Sequence, residues 1–117
     1  MSDNHPYLSI IIPCYNEDSV LVETYQRLVR SLNHLNFSFE IIFINDGSTD
    51  QTPFILDDFA NKDERVLVLH FSRNFGHQQA LTAGLHECKG QFAVIMDADL
   101  QDPPEIIPEM LKLATRE

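Results

Sequence analysis

Residues 97–105 read DADLQDPPE and follow directly on the apolar run QFAVIM. Asp97, Asp99 and Asp102 crowd into six residues of a chain whose formal net charge is already -10. Like charges at this spacing repel unless something holds them, and the partner that suits clustered hard oxygen donors is a divalent cation such as Mg2+ or Mn2+. Three further bursts of polar residues share the character: PCYNED at 13–18, NDGSTD at 45–50 and SRNFGHQQ at 72–79. Arg73 is the only Arg or Lys in the four bursts, which makes it the candidate to face an anion or to pair with one of the clustered carboxylates.

Taken singly, each burst has a plain structural reading. NDG is a common turn, because Asn, Asp and Gly tolerate the backbone angles it needs. PCYNE can be a strand exit with a helix cap, His77 a polar residue at a helix start, and an isolated D-x-D in an Asp-rich chain means little. What joins the bursts is their position, since each follows an apolar run: YLSIIIP, FEIIFIN, RVLVLHF and QFAVIMD. These runs are rich in Ile, Val and Phe and nearly continuous in apolarity, as expected for strands covered on both faces.

Between them lie helical patterns. Leu21, Tyr25, Leu28, Leu32 and Leu35 fall at three- and four-residue steps; Ile55, Leu56 and Phe59 form a shorter stripe, and Leu81, Leu85 and Cys88 a third. A fourth helix is expected to open at Pro103 and Pro104, capped by Asp102, and to continue through Ile106, Ile107, Met110, Leu111 and Ala114. Strand and helix alternating in this way predict an α/β fold with an open, mainly parallel sheet and helices on both faces. In such a sheet all four bursts lie along the carboxyl ends of the strands, where open α/β folds bind ligands.

Several classes of function are disfavoured. A pI near 4.7 argues against nucleic acid as a partner, because phosphate-backbone binding needs clustered Lys and Arg. The first strand is followed by neither G-x-G-x-x-G nor G-x-x-x-x-G-K-[ST], and 4 glycines cannot build a Gly-rich phosphate cradle. The remaining way for an acidic edge to hold a diphosphate is a cation bridging carboxylates to phosphate oxygens. Cys14 and Cys88 lack metal-type spacing and sit in apolar patterns, so reduced thiols are expected. With no leader pattern and no apolar run of membrane-spanning length, the chain is expected to be soluble and cytoplasmic.

IIIPCYNE, IFINDGSTDQT, SRNFGHQQALTAGL and IMDADLQDPPE, in this order, resemble the N-terminal part of a family 2 glycosyltransferase of the GT-A fold. RNFG together with DADLQDPPE is similar to the bacterial polyprenyl-phosphate branch related to dolichol-phosphate mannose synthase. The resemblance runs from about Leu8 to the last helix and implies that residues 1–117 are a nucleotide-sugar-binding, Rossmann-like half of a larger domain. It implies further that Pro13, Tyr15 and Glu17 line a nucleoside pocket and that Asp46 reads the base. Asp97 and Asp99 match the D-x-D pair, with Asp99 a direct metal ligand and Asp97 nearer the ribose or sugar. Arg73 and Asn74 match a segment beside the donor diphosphate, and Arg73, Asp97 and Asp99 are the catalytic candidates. Asn45 stands where many relatives carry a second aspartate; its amide exchanges hydrogen bonds without adding charge.

By the same resemblance the expected reaction is an inverting transfer from a nucleoside-diphosphate sugar, UDP-glucose by default, to a polyprenyl phosphate, with Mg2+ or Mn2+ as cofactor. A phosphate acceptor is already an anionic nucleophile and needs no general base, whereas a saccharide hydroxyl would. Two rival readings are a soluble family 2 transferase acting on such a hydroxyl and a half-domain that binds nucleotide sugar without catalysis. Membrane contact is expected only through a C-terminal part beyond Glu117, at the cytoplasmic face of the inner membrane. An unfinished sheet edge makes a homo-oligomer the expected tendency.

Overall fold

The computed structural model describes residues 5–99 and 103–109. Four strands, β1 (Leu8–Cys14), β2 (Phe39–Asn45), β3 (Val66–His70) and β4 (Phe92–Ile95), alternate with three helices, α1 (Leu21–Leu32), α2 (Thr52–Lys62) and α3 (His77–Glu87). The strands form one sheet in the order β3-β2-β1-β4, with every neighbouring pair parallel. The chain therefore winds outward from β1 to β3 and then crosses back to β4, which places the reversal of winding between β1 and β4. A 3-10 turn at Pro104–Ile106 runs on into helical residues 107–109, the described part of the expected fourth helix. Its capping by Asp102 and its continuation through Met110, Leu111 and Ala114 lie outside the described residues.

Strand alternation sorts the core into two layers. Leu8, Ile10, Ile12 and Cys14 of β1 turn to one face with Ile41 and Phe43 of β2, and pack under Leu21, Leu28 and Leu32 of α1 and Leu56 and Phe59 of α2. Ile11, Ile42 and Ile44 turn to the other face and meet Ala80 of α3. Burying side chains of this size contributes about 1.5–3 kcal/mol each, which explains why β1 and β2 read as uninterrupted apolar runs.

Two expectations need correction here. The runs of β3 and β4 are not covered on both faces: Leu67 is 40% and Ile95 45% exposed. Both side chains point to the face of α3, and that helix lies mainly over β1 and β2, leaving Leu67 and Ile95 uncovered while Leu69 still packs at the edge of that layer. The stripe of α3 is also different. Leu81 and Cys88 do pack against the second core layer, but Leu85 is exposed, and the fully buried residues of the helix are Ala80 and Gly84. A Cβ on Gly84 would lie 2.5 Å from Ile11 Cγ2 and 2.9 Å from Ile44 Cδ1, so this helix approaches the sheet along its smallest side chains. Leu35 falls beyond the end of α1 yet still packs at the margin of the core.

A polar network ties the far end of α2 to the sheet. Arg65 Nε donates to Asp63 Oδ1 at 2.9 Å and Arg65 Nη2 to Asp63 Oδ2 at 3.0 Å, while the Tyr25 hydroxyl donates to Asp63 Oδ2 at 2.6 Å. The Arg65 hydrogen bonds hold the Asp63 carboxyl down at about 2, and burial with the Asp63 contact pushes the Tyr25 hydroxyl up to about 12. Cys14 and Cys88 are free thiols, and burial beside Glu17 pushes Cys14 further toward the protonated form. Among the described residues, no helix is long and apolar enough to cross a membrane.

Candidate functional site

The carboxyl ends of β1, β2 and β4 and the start of α3 enclose an open cleft of about 280 Å³, at the reversal of winding. The segment leaving β1 supplies Pro13, Cys14, Tyr15 and Glu17, and the turn after β2 supplies Asp46. Asn74, Gly76 and His77 come from the segment joining β3 to α3, and Asp97, Ala98 and Asp99 follow β4. All four polar bursts thus contribute to one concavity.

Side chains lace the first two loops together. Asn16 sits at φ 53°, a left-handed conformation that Asn tolerates, and its N–H donates to Ser48 Oγ at 2.9 Å while its Oδ1 accepts from the N–H of Thr49 at 2.8 Å. The N–H of Glu17 donates to Thr52 Oγ1 at 3.0 Å, and the N–H groups of Asp18 and Thr52 both donate to the Asp50 carboxylate. Such reciprocal bonds satisfy backbone groups that a loop would otherwise leave to water, and they fix the wall carrying Tyr15 and Glu17 before any ligand arrives.

Asp46 joins the second and third bursts. Its Oδ1 accepts the N–H of Phe75 at 2.7 Å and its Oδ2 the N–H of Gly76 at 3.1 Å, while its own N–H donates to the carbonyl of Cys14 at 2.9 Å. Beside it Gly47 takes φ +72°, and a Cβ there would lie 2.2 Å from the Arg73 carbonyl carbon and 2.3 Å from the Asn74 nitrogen. Turn and segment therefore meet backbone to backbone, and only glycine fits. The N-cap residue of α3, Gly76, has no side chain to cap the helix; its N–H goes to Asp46, and Gly76 and His77 bring the positive end of the helix to the wall of the cleft.

The cleft is acidic. The Glu17 carboxyl is pushed above the usual carboxylate range, first by burial and then by the charges of Asp99, Asp50 and Asp97. Among the described residues no three His, Cys, Asp or Glu side chains form a cage for a metal ion. Two carboxylates, Asp97 and Asp99, on one rim do fit the way Mg2+ or Mn2+ is held with a phosphorylated ligand, by one or two carboxylates plus phosphate oxygens and water.

Of the residues singled out by sequence, Pro13, Tyr15, Glu17, Asp46, Asn74, Asp97 and Asp99 line the cleft. Asn45 and Arg73 do not. Asn45 is buried, with its Oδ1 accepting the N–H of Ser48 and its Nδ2 against His70. Arg73 stacks its guanidinium 4.3 Å above the Phe75 ring and, among the described residues, forms no ion pair. Cys14, Gly76, His77 and Ala98 also line the cleft without having been singled out as site residues. A glycine directly before an amphipathic stripe was the signal available for Gly76.

The model of glycosyl transferase family 2 matches residues 9–117. An uncharacterised glycosyltransferase of Bacillus subtilis, YkcC, is 48% identical over 108 residues, covering 92% of this chain and 33% of that protein. The undecaprenyl-phosphate 4-deoxy-4-formamido-L-arabinose transferase of Pseudomonas savastanoi pv. phaseolicola is 41% identical over 109 residues, covering 92% of this chain and 32% of that protein. The chain thus spans about a third of the length of these relatives. Among solved structures, Staphylococcus aureus TarS 1-349 in complex with UDP-GlcNAc superposes with a TM-score of 0.64 at 30% identity, over 79% of this chain and 26% of that one. Mannosyltransferase PcManGT from Pyrobaculum calidifontis, in complex with GDP-Man and Mn2+, shares the fold with a TM-score of 0.68 at 23% identity, over 85% of this chain and 33% of its own. With the parallel sheet, the cleft at its winding reversal and a family match over nearly all its length, this chain belongs to glycosyl transferase family 2 and has the GT-A fold.

Proposed function

We propose that this chain is the donor-binding part of an inverting transferase that moves a sugar from a nucleoside-diphosphate sugar onto a polyprenyl phosphate at a membrane face. The observation that carries the reading is the convergence of Asp46, the uncapped start of α3 and the Asp97–Asp99 pair on one cleft. Asp46 lies in the nucleoside part, with Pro13 and Tyr15 beside it as apolar walls. The first amides of α3 supply donors for phosphate oxygens. The similarity to an undecaprenyl-phosphate sugar transferase supports the lipid acceptor, and that to a UDP-GlcNAc complex supports a uridine donor.

Asp99 and Asp97 would hold the divalent cation, which when bound offsets charge on the departing diphosphate. The chain's own groups then orient the donor. Asp46 and the laced loops fix the nucleoside, and Asp97 on the rim stands next to the sugar, so that the acceptor can attack in line from the side opposite the diphosphate. A phosphate acceptor comes as an anion, and the cleft need not supply a base for it.

Calorimetric titration of UDP and of GDP, with and without Mn2+, tests this on the chain and on its Asp99→Ala variant. UDP is expected to bind in a metal-dependent way that the variant loses. Failure of the full-length protein to bind either nucleotide, or to pass sugar to a polyprenyl phosphate, would sink the reading.

A further inference from the structure

His70 lies outside the cleft, yet its ring is wired to the turn that carries Asp46. The N–H of Ser48 donates to Asn45 Oδ1 at 2.9 Å. That bond sets the amide the right way round, because the opposite orientation would bring two donors together. Asn45 Nδ2 consequently faces His70 Nδ1 at 3.0 Å. A donor at that distance leaves Nδ1 the acceptor role, so the ring proton sits on Nε2, where Asp57 Oδ1 accepts it at 2.8 Å. The chain of contacts begins on α2, crosses β3 and ends in the turn of residues 45–48. Asn45 and Asp46 are each 4% exposed, so little water can replace a partner that either one loses.

We infer that His70 is a positioning residue for the cleft: as a neutral imidazole held by Asp57, it fixes Asn45 and thereby the turn that places Asp46 against Phe75 and Gly76. The step from positioning to donor affinity rests on the proposed function. A second proton on the ring, at Nδ1, would oppose the Asn45 amide, and relief requires the ring to swing out or the amide to turn and release Ser48. A ring carrying both protons could keep its Nε2–H bond to Asp57, so the contact given up would be the one to Asn45. His86 and Glu87 of α3 share a surface groove with His70 but pair with each other at 3.4 Å, and Asn45 of β2 is uncharged. Residues 45 and 70 form a matched pair. A carboxylate at 45 would accept from both Ser48 and the ring, and would select the charged imidazole instead.

The test is nitrogen NMR of the labelled chain from roughly pH 8 to roughly pH 5, the range in which imidazoles ordinarily change charge. The ring is expected in the Nε2–H form at the upper end, with the amides of Ser48, Phe75 and Gly76 moving at the same midpoint as His70. UDP affinity in the presence of Mn2+ is expected to fall about tenfold over that range, the scale of one lost buried hydrogen bond. His70→Asn, whose side-chain oxygen can take the place of Nδ1 as acceptor, is expected to bind UDP like the parent at the upper end and to lose this fall. Asn45→Asp is expected to hold or gain affinity as the pH drops. An Nδ1–H ring, amides that stay still while His70 titrates, or the same fall of affinity in His70→Asn would each overturn the inference. Absence of UDP binding at every pH would count against the donor reading alone, because the ring form and the amide titrations decide the wiring without nucleotide.

Discussion

Asp46 meets two backbone amides with its two carboxylate oxygens, so Asp46→Asn turns one of those acceptors into a donor facing an N–H. The variant is expected to lose about 1–3 kcal/mol in urea denaturation, the cost of leaving a buried donor unmatched, and unchanged stability would show that the segment 73–76 is held elsewhere. Asp46 was legible as part of a polar burst at a strand end, and its role through the family resemblance. Sequence did not show that Asn45, one residue earlier, points away from the cleft. Asn45 has the same parity as Phe43 and Ile41 and so turns to the α2 side, where its register partner is His70. Arg73 was legible as the lone cation of the bursts, whereas its stacking on Phe75 depends on a neighbour two residues away that no charge pattern marks.

Helix α3 shows what an apolarity pattern can and cannot reveal about an element. Its existence followed from the spacing of Leu81 and Leu85, but the side pressed to the sheet is marked by Gly84, a residue with no side chain to count. Gly84→Ala is expected to destabilise the chain by about 1–3 kcal/mol in urea, since a Cβ would collide with stiff Ile11 and with Ile44; an unchanged midpoint would mean that the helix can lift at no cost. At the junction of α2 with β3, the sign of the pH effect follows from Asp63. Its folded value of about 2 lies below the ordinary carboxylate value, so the stability it contributes is complete above roughly pH 4 and is lost as pH falls toward 2. For a carboxyl as well buried as this one the amount is on the order of 2 kcal/mol. Thermal melts of Asp63→Asn against the parent are expected to converge as the pH is lowered through that window, and parallel curves would refute the assignment.

Across the whole molecule, strand count, parallel pairing and the edge bearing the site were all legible in the sequence, because β-branched runs alternating with helical stripes admit few arrangements. The order of strands was not, since nothing local says whether the fourth strand joins beside β3 or returns to β1. That choice creates the cleft: only with β4 beside β1 do Asp97 and Asp99 come to lie opposite Glu17 and Asp46. It also gives the cleft walls of unequal durability. β1 and β2 pair over seven residues, from Leu8↔Phe39 to Cys14↔Asn45, whereas β4 is held to β1 over four, from Leu8↔Phe92 to Ile11↔Ile95. Amides of the first wall should exchange with deuterium only when the chain opens globally, and those of β4 through cheaper local excursions. A ligand clasped between the walls closes that local route, so saturating UDP and Mn2+ should slow exchange in β4 far more than in β1 or β2. Equal slowing in both would show that the sheet opens as a single unit. On the proposed function the cargo would double as a strap, firming the weaker wall whenever the hold is full.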